Sequence, residues 1–234
     1  MSRRGVATCL VPKGRKELRE TVQDYFTRQD RRYGVYAVTG AGEFVPSSLS
    51  HVYLGLSRLM AEGMLHGDHV FLDAGSGDGR VLVLASLVLG LKTYGVEYDE
   101  ALWERSLKNI AFFGPLYSGP DDFPTVLCGD FCDEKTYIQA NTSFVDFDVV
   151  FNYANNHVKL AEKIARDGSD HVLFLYYGPS PLPETFPSLH PLRTLPLGPQ
   201  GSSAGPFLHV YGKDQKGFAG MGVFGVGNRV PREK

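Results

Sequence analysis

At 234 residues the chain has room for one α/β domain with a short addition, and 43% hydrophobic residues give that domain a core. A formal net charge of −2 excludes a globally basic nucleic-acid binder. Three cysteines (Cys9, Cys128, Cys132), none in a CxxC pair, argue for reduced thiols and no zinc or other metal site. The longest apolar run, 81 to 91, is too short to span a bilayer, so no membrane contact is expected.

Between Arg3 and Arg32 nine Lys/Arg face four acids, a local net of +5. This reads equally as a solvated arm and as a surface for something acidic, such as DNA. Residues 1 to 16 hold five basic residues and no acid, which leaves a targeting segment open. Residues 15 to 33 predict a polar helix, followed by a flexible approach through Gly40 and Gly42. Ser47 or Ser48 is placed to cap a helix with apolar positions Leu49, Val52, Leu56 and Leu59, which Gly63 ends.

Strands and helices then alternate, the pattern of a mainly parallel sheet covered on both faces. Strands are predicted at 69–73, 93–97, 125–129, 147–153 and 171–177, with helices at 80–90, 99–112 and 156–167. Eight of the 14 prolines fall between Pro179 and Pro206, which predicts an irregular excursion carrying a strand near 189–195. A last strand follows at 207–211. The expected fold is a Rossmann-like, seven-stranded, mainly parallel sheet with a small helical N-terminal addition. Its division is a basic arm and lead-in at 1–48, the sheet domain at 49–212 and a Gly-rich tail at 213–234.

The stretch Asp73-Ala74-Gly75-Ser76-Gly77-Asp78-Gly79 ends the first strand in an acid and turns on three glycines. Glycines let a ligand lie against the backbone. Dinucleotide sites place a pyrophosphate on such a turn. Here Asp73 and Asp78 would repel one, by several kcal/mol on the order set by Coulomb's law in a dry site. The acids suit a cation, so the expected ligand is S-adenosyl-L-methionine, a sulfonium and ammonium without phosphate. Glu97 ends the second strand, 22 residues past Gly75, where an acid accepts both hydrogen bonds of a ribose diol. That spacing fixes adenosine rather than one adenosine cofactor. Asp130 is placed for an adenine amino group, with Phe131 as a stacking face. Asn152 and Tyr153 end the fourth strand, where the acceptor belongs.

These motifs resemble those of class I methyltransferases. The finer pattern is similar to the disruptor-of-telomeric-silencing family of non-SET histone lysine methyltransferases. The likeness lies in the DxGSGxG loop at Asp73 to Gly79, Tyr94-Gly95-Val96-Glu97, Gly129-Asp130-Phe131 and Asn152-Tyr153-Ala154. It implies that Asp73, Gly75, Ser76, Gly77, Asp78, Gly79, Glu97, Asp130 and Phe131 hold the donor. Asn152 then borders both donor and lysine channel, with Tyr153 beside it as a catalytic residue. It also implies a histone or nucleosome as substrate, DNA contact through the basic arm, and a nuclear location, with cytoplasm and mitochondrion as alternatives. Where that family has two adjacent asparagines this chain has Phe151-Asn152. Phe44-Val45-Pro46-Ser47-Ser48 resembles the lead-in of small mitochondrial and archaeal protein-lysine methyltransferases. Methylation of a non-histone protein or a small molecule, and a non-catalytic donor-binding module, remain as alternatives. The missing Pro-Pro after Asn152 argues against adenine methylation.

Overall fold

The computed structural model describes residues 14–40, 42–198 and 205–213. The basic residues before Gly14, Cys9 and most of the Gly-rich tail lie outside the described residues. Helix α1 (Arg15–Tyr33) leads into a short hairpin, β1 (Ala37–Thr39) and β2 (Gly42–Phe44), and then α2 (Leu49–Ala61). The sheet domain runs β3 (Val70–Ala74), α3 (Arg80–Val83), β4 (Lys92–Glu97), α4 (Glu100–Phe112), β5 (Thr125–Cys128), α5 (Glu134–Ile138), β6 (Val149–Tyr153), α6 (His157–Asp167), β7 (Leu173–Gly178), β8 (His190–Pro196) and β9 (Phe207–Gly212). Helix α3 continues without a break into a π-helical stretch, Leu84–Val88. Asp99 caps α4, its carboxylate accepting from the Leu102 amide. Ser48 occupies the cap position of α2 but makes no side-chain cap bond.

The seven strands lie in the order β5-β4-β3-β6-β7-β9-β8. Strands β3 to β7 are parallel, and β9 runs antiparallel between β7 and β8. The chain winds outward from β3 to β5, then returns to place β6 on the other side of β3. That reversal opens a crevice at the carboxyl ends of β3 and β6, where open α/β sheets bind their ligands.

Alternate strand residues point to opposite faces, and two apolar cores follow from this. Phe71, Val149, Phe151, Leu175 and Tyr177 pack under α1, α2 and α3. Leu72, Val150, Phe174 and Tyr176 pack under α5 and α6 with Phe144 and Phe147. Helix α1 contributes Val22, Tyr25 and Phe26 to the first core, with Phe26 only 1% exposed. Residues 15–33 are thus one body with the sheet, and the division drawn at residue 48 runs through this core. Truncating Phe26 to alanine would cost about 3–5 kcal/mol. No helix among the described residues is long and apolar enough to cross a membrane.

Candidate active site

A cleft of about 760 Å³ opens at the β3/β6 crevice. Its floor is the Gly loop. Gly75, Gly77 and Gly79 all have positive φ (86°, 55° and 78°), the left-handed region that glycine enters without penalty. The amides of Gly75 and Ser76 both donate to the Val96 carbonyl, at 2.9 and 3.0 Å. This draws the loop onto β4 so closely that a Cβ at Gly95 would lie 2.8 Å from Ser76 Oγ and 2.5 Å from Leu82. Two glycines therefore serve the site in different ways. Gly95 lets the loop sit down, and Gly77 lets the hairpin close over it, since a Cβ at Gly77 would lie 2.5 Å from the Phe44 ring.

Glu97 lines the cleft and also braces its floor. One carboxylate oxygen accepts from the Gly77 amide and the other from the Asp99 amide, each at 2.8 Å. A carboxylate has about four lone-pair positions, so both oxygens keep capacity for a diol. Burial pushes the Glu97 carboxyl up, and the two backbone donors pull against that.

Asp73 is 3% exposed and its Oδ2 is buried with no hydrogen-bond partner. Burial, then the neighbouring Glu97 and Asp78 charges, push its carboxyl well above the usual carboxylate range. Ser76 Oγ is likewise buried without a partner. Both residues line the cleft. Asp78 differs. Both its oxygens accept from Arg80, at 2.9 Å from Nε and 2.8 Å from Nη2.

The loop amides that would cradle a phosphate are already engaged. Gly77 donates to Glu97, Gly79 to the Ser76 carbonyl and Arg80 to Asp78 Oδ1. The lining also holds Glu43 and Asp130, and its one basic side chain among the described residues, Arg80, is paired. These features fit S-adenosylmethionine, with an ammonium for Asp73 and a diol for Glu97. They do not fit a pyrophosphate.

At the far end of β4 and β5, Asp130 Oδ1 accepts from the Cys132 amide at 2.8 Å. Helix α5 holds this turn, through Thr136 on the Asp130 carbonyl and Tyr137 on the Phe131 carbonyl. Phe131 is 8% exposed and presents its ring edge 4.0 Å from the Cβ position of Gly75. Tyr98 and Leu102 complete this end of the lining.

The expectation for Asn152 is corrected. Its side chain is fully buried and does not line the cleft. Its amide nitrogen donates to the Ala74 carbonyl at 2.7 Å and the Asn155 carbonyl at 3.0 Å, and its oxygen accepts from the Asn155 amide at 3.2 Å. It ties the end of β3 to the turn after β6, with both amide protons engaged and its oxygen buried against the Asn155 amide. The turn it holds, Ala154-Asn155-Asn156, faces the cleft in its place. Ala154 and Asn156 sit at φ 42° and 50°, a left-handed conformation that L-residues adopt at a cost. Tyr153 does line the cleft, with its ring edge-on to Tyr177 at 4.7 Å.

The sequence assigned no site residue to Thr39, Gly40, Gly42 to Ser47, Tyr98, Asn155, Asn156 or Pro179, all of which line the cleft. The hairpin strands left only the Gly40 and Gly42 punctuation as a signal, whereas the stretch from Phe44 to Ser48 was visible as a methyltransferase-like lead-in. Asn156, at φ 50°, had a readable one, because asparagine is enriched at left-handed positions. Among the described residues no group of His, Cys, Asp and Glu is placed to hold a metal ion. Cys128 and Cys132 are free thiols.

No protein-family model matches the sequence, and no curated protein matches it. Solved structures do. An RNA methyltransferase from Salinibacter ruber, in complex with S-adenosyl-L-homocysteine, is 19% identical with a TM-score of 0.51, covering 73% of this chain and 95% of its own. The rRNA methyltransferase aviRa from Streptomyces viridochromogenes is 14% identical, with a TM-score of 0.53 and coverage of 70% and 85%. A mutant of MtNAS in complex with S-adenosylmethionine is 15% identical, with a TM-score of 0.54 and coverage of 85% and 71%. At such identities the likeness is one of fold, and the fold is the Rossmann-like one of class I methyltransferases.

Proposed function

We propose that the protein is an S-adenosylmethionine-dependent methyltransferase acting on a protein lysine. The observation that carries the donor assignment is Asp73 Oδ2, a buried carboxylate oxygen without a partner, in a cleft whose sole basic side chain among the described residues, Arg80, is paired with Asp78 and Asp30. An unpaired buried acid is unfavourable by itself, and an incoming ammonium relieves it. Bound there, the donor supplies a methyl group already activated on a sulfonium. The residues of the chain have the remaining tasks of orientation and exclusion of water. Alignment of the reacting groups can be worth about 7–11 kcal/mol.

The acceptor assignment rests on charge. Beyond the donor loop the cleft is walled by Phe44, Val45, Pro46, Phe151, Tyr153 and Pro179, with Glu43 towards the outside. The acid attracts an ammonium, and the apolar wall favours the neutral amine that must attack. Aromatic faces also suit an alkylated nitrogen. RNA would need unpaired basic groups around the mouth, and the cleft lining has none among the described residues. The motif resemblance makes a histone lysine, free or in a nucleosome, the first acceptor to try.

The test has two steps. Calorimetry should show binding of S-adenosylmethionine and S-adenosylhomocysteine and none of a nicotinamide dinucleotide. Labelled donor is then incubated with free histones, nucleosomes, whole-cell protein and RNA. Label on protein lysine is expected, and label on RNA alone would overturn the acceptor assignment.

A further inference from the structure

Helix α1 reaches the Gly loop through an ion relay that runs from the half-buried Asp30 to the buried Arg80 and Asp78. We propose that Asp30 is a positioning residue for the methyl donor, acting through Arg80 to hold Asp78 and the loop in the receiving conformation. The inference rests on the donor assignment above.

Arg80 is 6% exposed and bonded on both sides. Its Nε and Nη2 donate to Asp78 at 2.9 and 2.8 Å, and its Nη2 and Nη1 donate to Asp30 at 2.6 and 3.2 Å. The guanidinium also lies over the Phe26 ring, 5.1 Å from its centroid. A second route joins the same two elements. Tyr25 donates to Asn109 Oδ1, and Asn109 donates to the Asp78 carbonyl, both at 2.9 Å. Helix α1 thus grips Asp78 by its side chain through Arg80 and by its main chain through Asn109.

The charge balance makes this grip matter to the ligand. Asp73, Asp78 and Glu97 are three buried carboxylates on one cleft, with a single cation among them. Arg80 neutralises Asp78 and leaves Asp73 and Glu97 for the ligand. Two-point pairing to Asp30 fixes the plane of the guanidinium. Without Asp30 the guanidinium loses its outer anchor and is drawn to the partnerless oxygen of Asp73, the place assigned to the donor ammonium. A helix that only packed against the core would set stability and leave donor affinity alone.

The experiment uses the full chain, with S-adenosylhomocysteine as probe in calorimetry and backbone hydrogen exchange as a ligand-free readout. Asp30→Asn is expected to bind at least tenfold more weakly. Exchange should quicken at the amides of residues 75–80 and stay unchanged in β7. Asp30→Glu, which keeps the charge, should recover affinity to within threefold. Asp24→Asn, on the same helix outside the relay, should bind as wild type. Wild-type affinity in a folded Asp30→Asn, or no recovery with glutamate, overturns the positioning role. If Asp30→Asn does not fold, Arg80→Lys carries the test, since it keeps the charge and loses the fork; normal affinity there also overturns the role. If the wild-type chain binds no probe, the donor assignment fails, and unchanged loop exchange in Asp30→Asn would then remove the relay as well.

Discussion

Glu97 and Gly77 are joined by a 2.8 Å hydrogen bond from the loop amide to the carboxylate. The acid that the spacing assigns to a ribose is therefore also the clasp of the Gly loop, and its two roles fail together. Glu97→Ala should weaken donor binding by one to two decades, by the loss of about 1–3 kcal/mol. It should lower the melting temperature as well, because the Gly77 and Asp99 amides lose their acceptor. Glu97→Gln should not rescue it, since the amide NH2 would face one of two backbone donors. Calorimetry with a parallel thermal melt checks both. Unchanged affinity in a folded variant would take Glu97 out of the site.

Asp73 should trade stability for binding. Its carboxyl is raised in the folded chain by burial and by Glu97 and Asp78. Below about pH 4, the ordinary aspartate value, both folded and unfolded forms hold the proton and there is no penalty. As pH rises from there to the raised folded value, the unfolded chain releases the proton first and stability falls. At neutral pH Asp73→Asn should therefore melt higher, by 2–4 °C for a gain of about 1 kcal/mol. It should bind the donor about tenfold or more weakly, having lost a charge-assisted bond worth roughly 1.5–3 kcal/mol. Wild-type donor affinity should rise with pH over the same window. An Asp73→Asn protein that binds normally would show that the ammonium lies elsewhere.

Phe44 and Gly77 give a third prediction. Gly77 sits at φ 55°, and a Cβ there would come within 2.5 Å of Phe44 Cε2. The substitution strains the backbone by about 1–2 kcal/mol and also pushes the hairpin off the loop. Gly77→Ala should lower methyl transfer, and an added Phe44→Ala should return part of the lost stability by making room. Neighbouring changes of this kind are non-additive. Strict additivity in a double-mutant cycle of melting temperatures would mean that the hairpin does not rest on the loop.

The sheet and the Gly-loop turn at its crevice were legible because their signals are local. Alternating apolar strands, the three glycines and Glu97 at the next strand end all lie in short stretches. The boundaries of β3 to β7 fall within about two residues of those expected. The hairpin was not legible, because three-residue strands flanked by glycines carry almost no period. Helix α1 was read correctly as a helix, but its polar composition hid its three buried residues. The relay through Arg80 was invisible for another reason. It joins residues 50 positions apart whose pairing only the packing decides. Asn152 shows the converse limit. Its place at a strand end was right, but strand position does not say whether a side chain opens into a cleft or closes behind it.

Asn152 and Tyr153 are adjacent and should separate cleanly. Asn152→Ala removes all three hydrogen bonds that tie Ala74 to the Asn155 turn. It leaves buried carbonyl and amide groups short of partners, at about 1–3 kcal/mol for each group left unsatisfied. It also releases a turn held at φ 42° and 50°. The melting temperature should fall by several degrees, with 2–4 °C expected per kcal/mol, and turnover should fall at least tenfold because the cleft wall has moved. Tyr153→Ala removes a side chain that faces the cleft and is only partly buried. Its stability loss should be smaller, and its defect should appear in kcat/KM for the acceptor with donor affinity within threefold of wild type. Thermal melts, donor calorimetry and steady-state kinetics on the two variants decide the matter. If Asn152→Ala melts as wild type and only its acceptor kinetics suffer, the amide meets the acceptor after all and the bracing role assigned to it here is wrong.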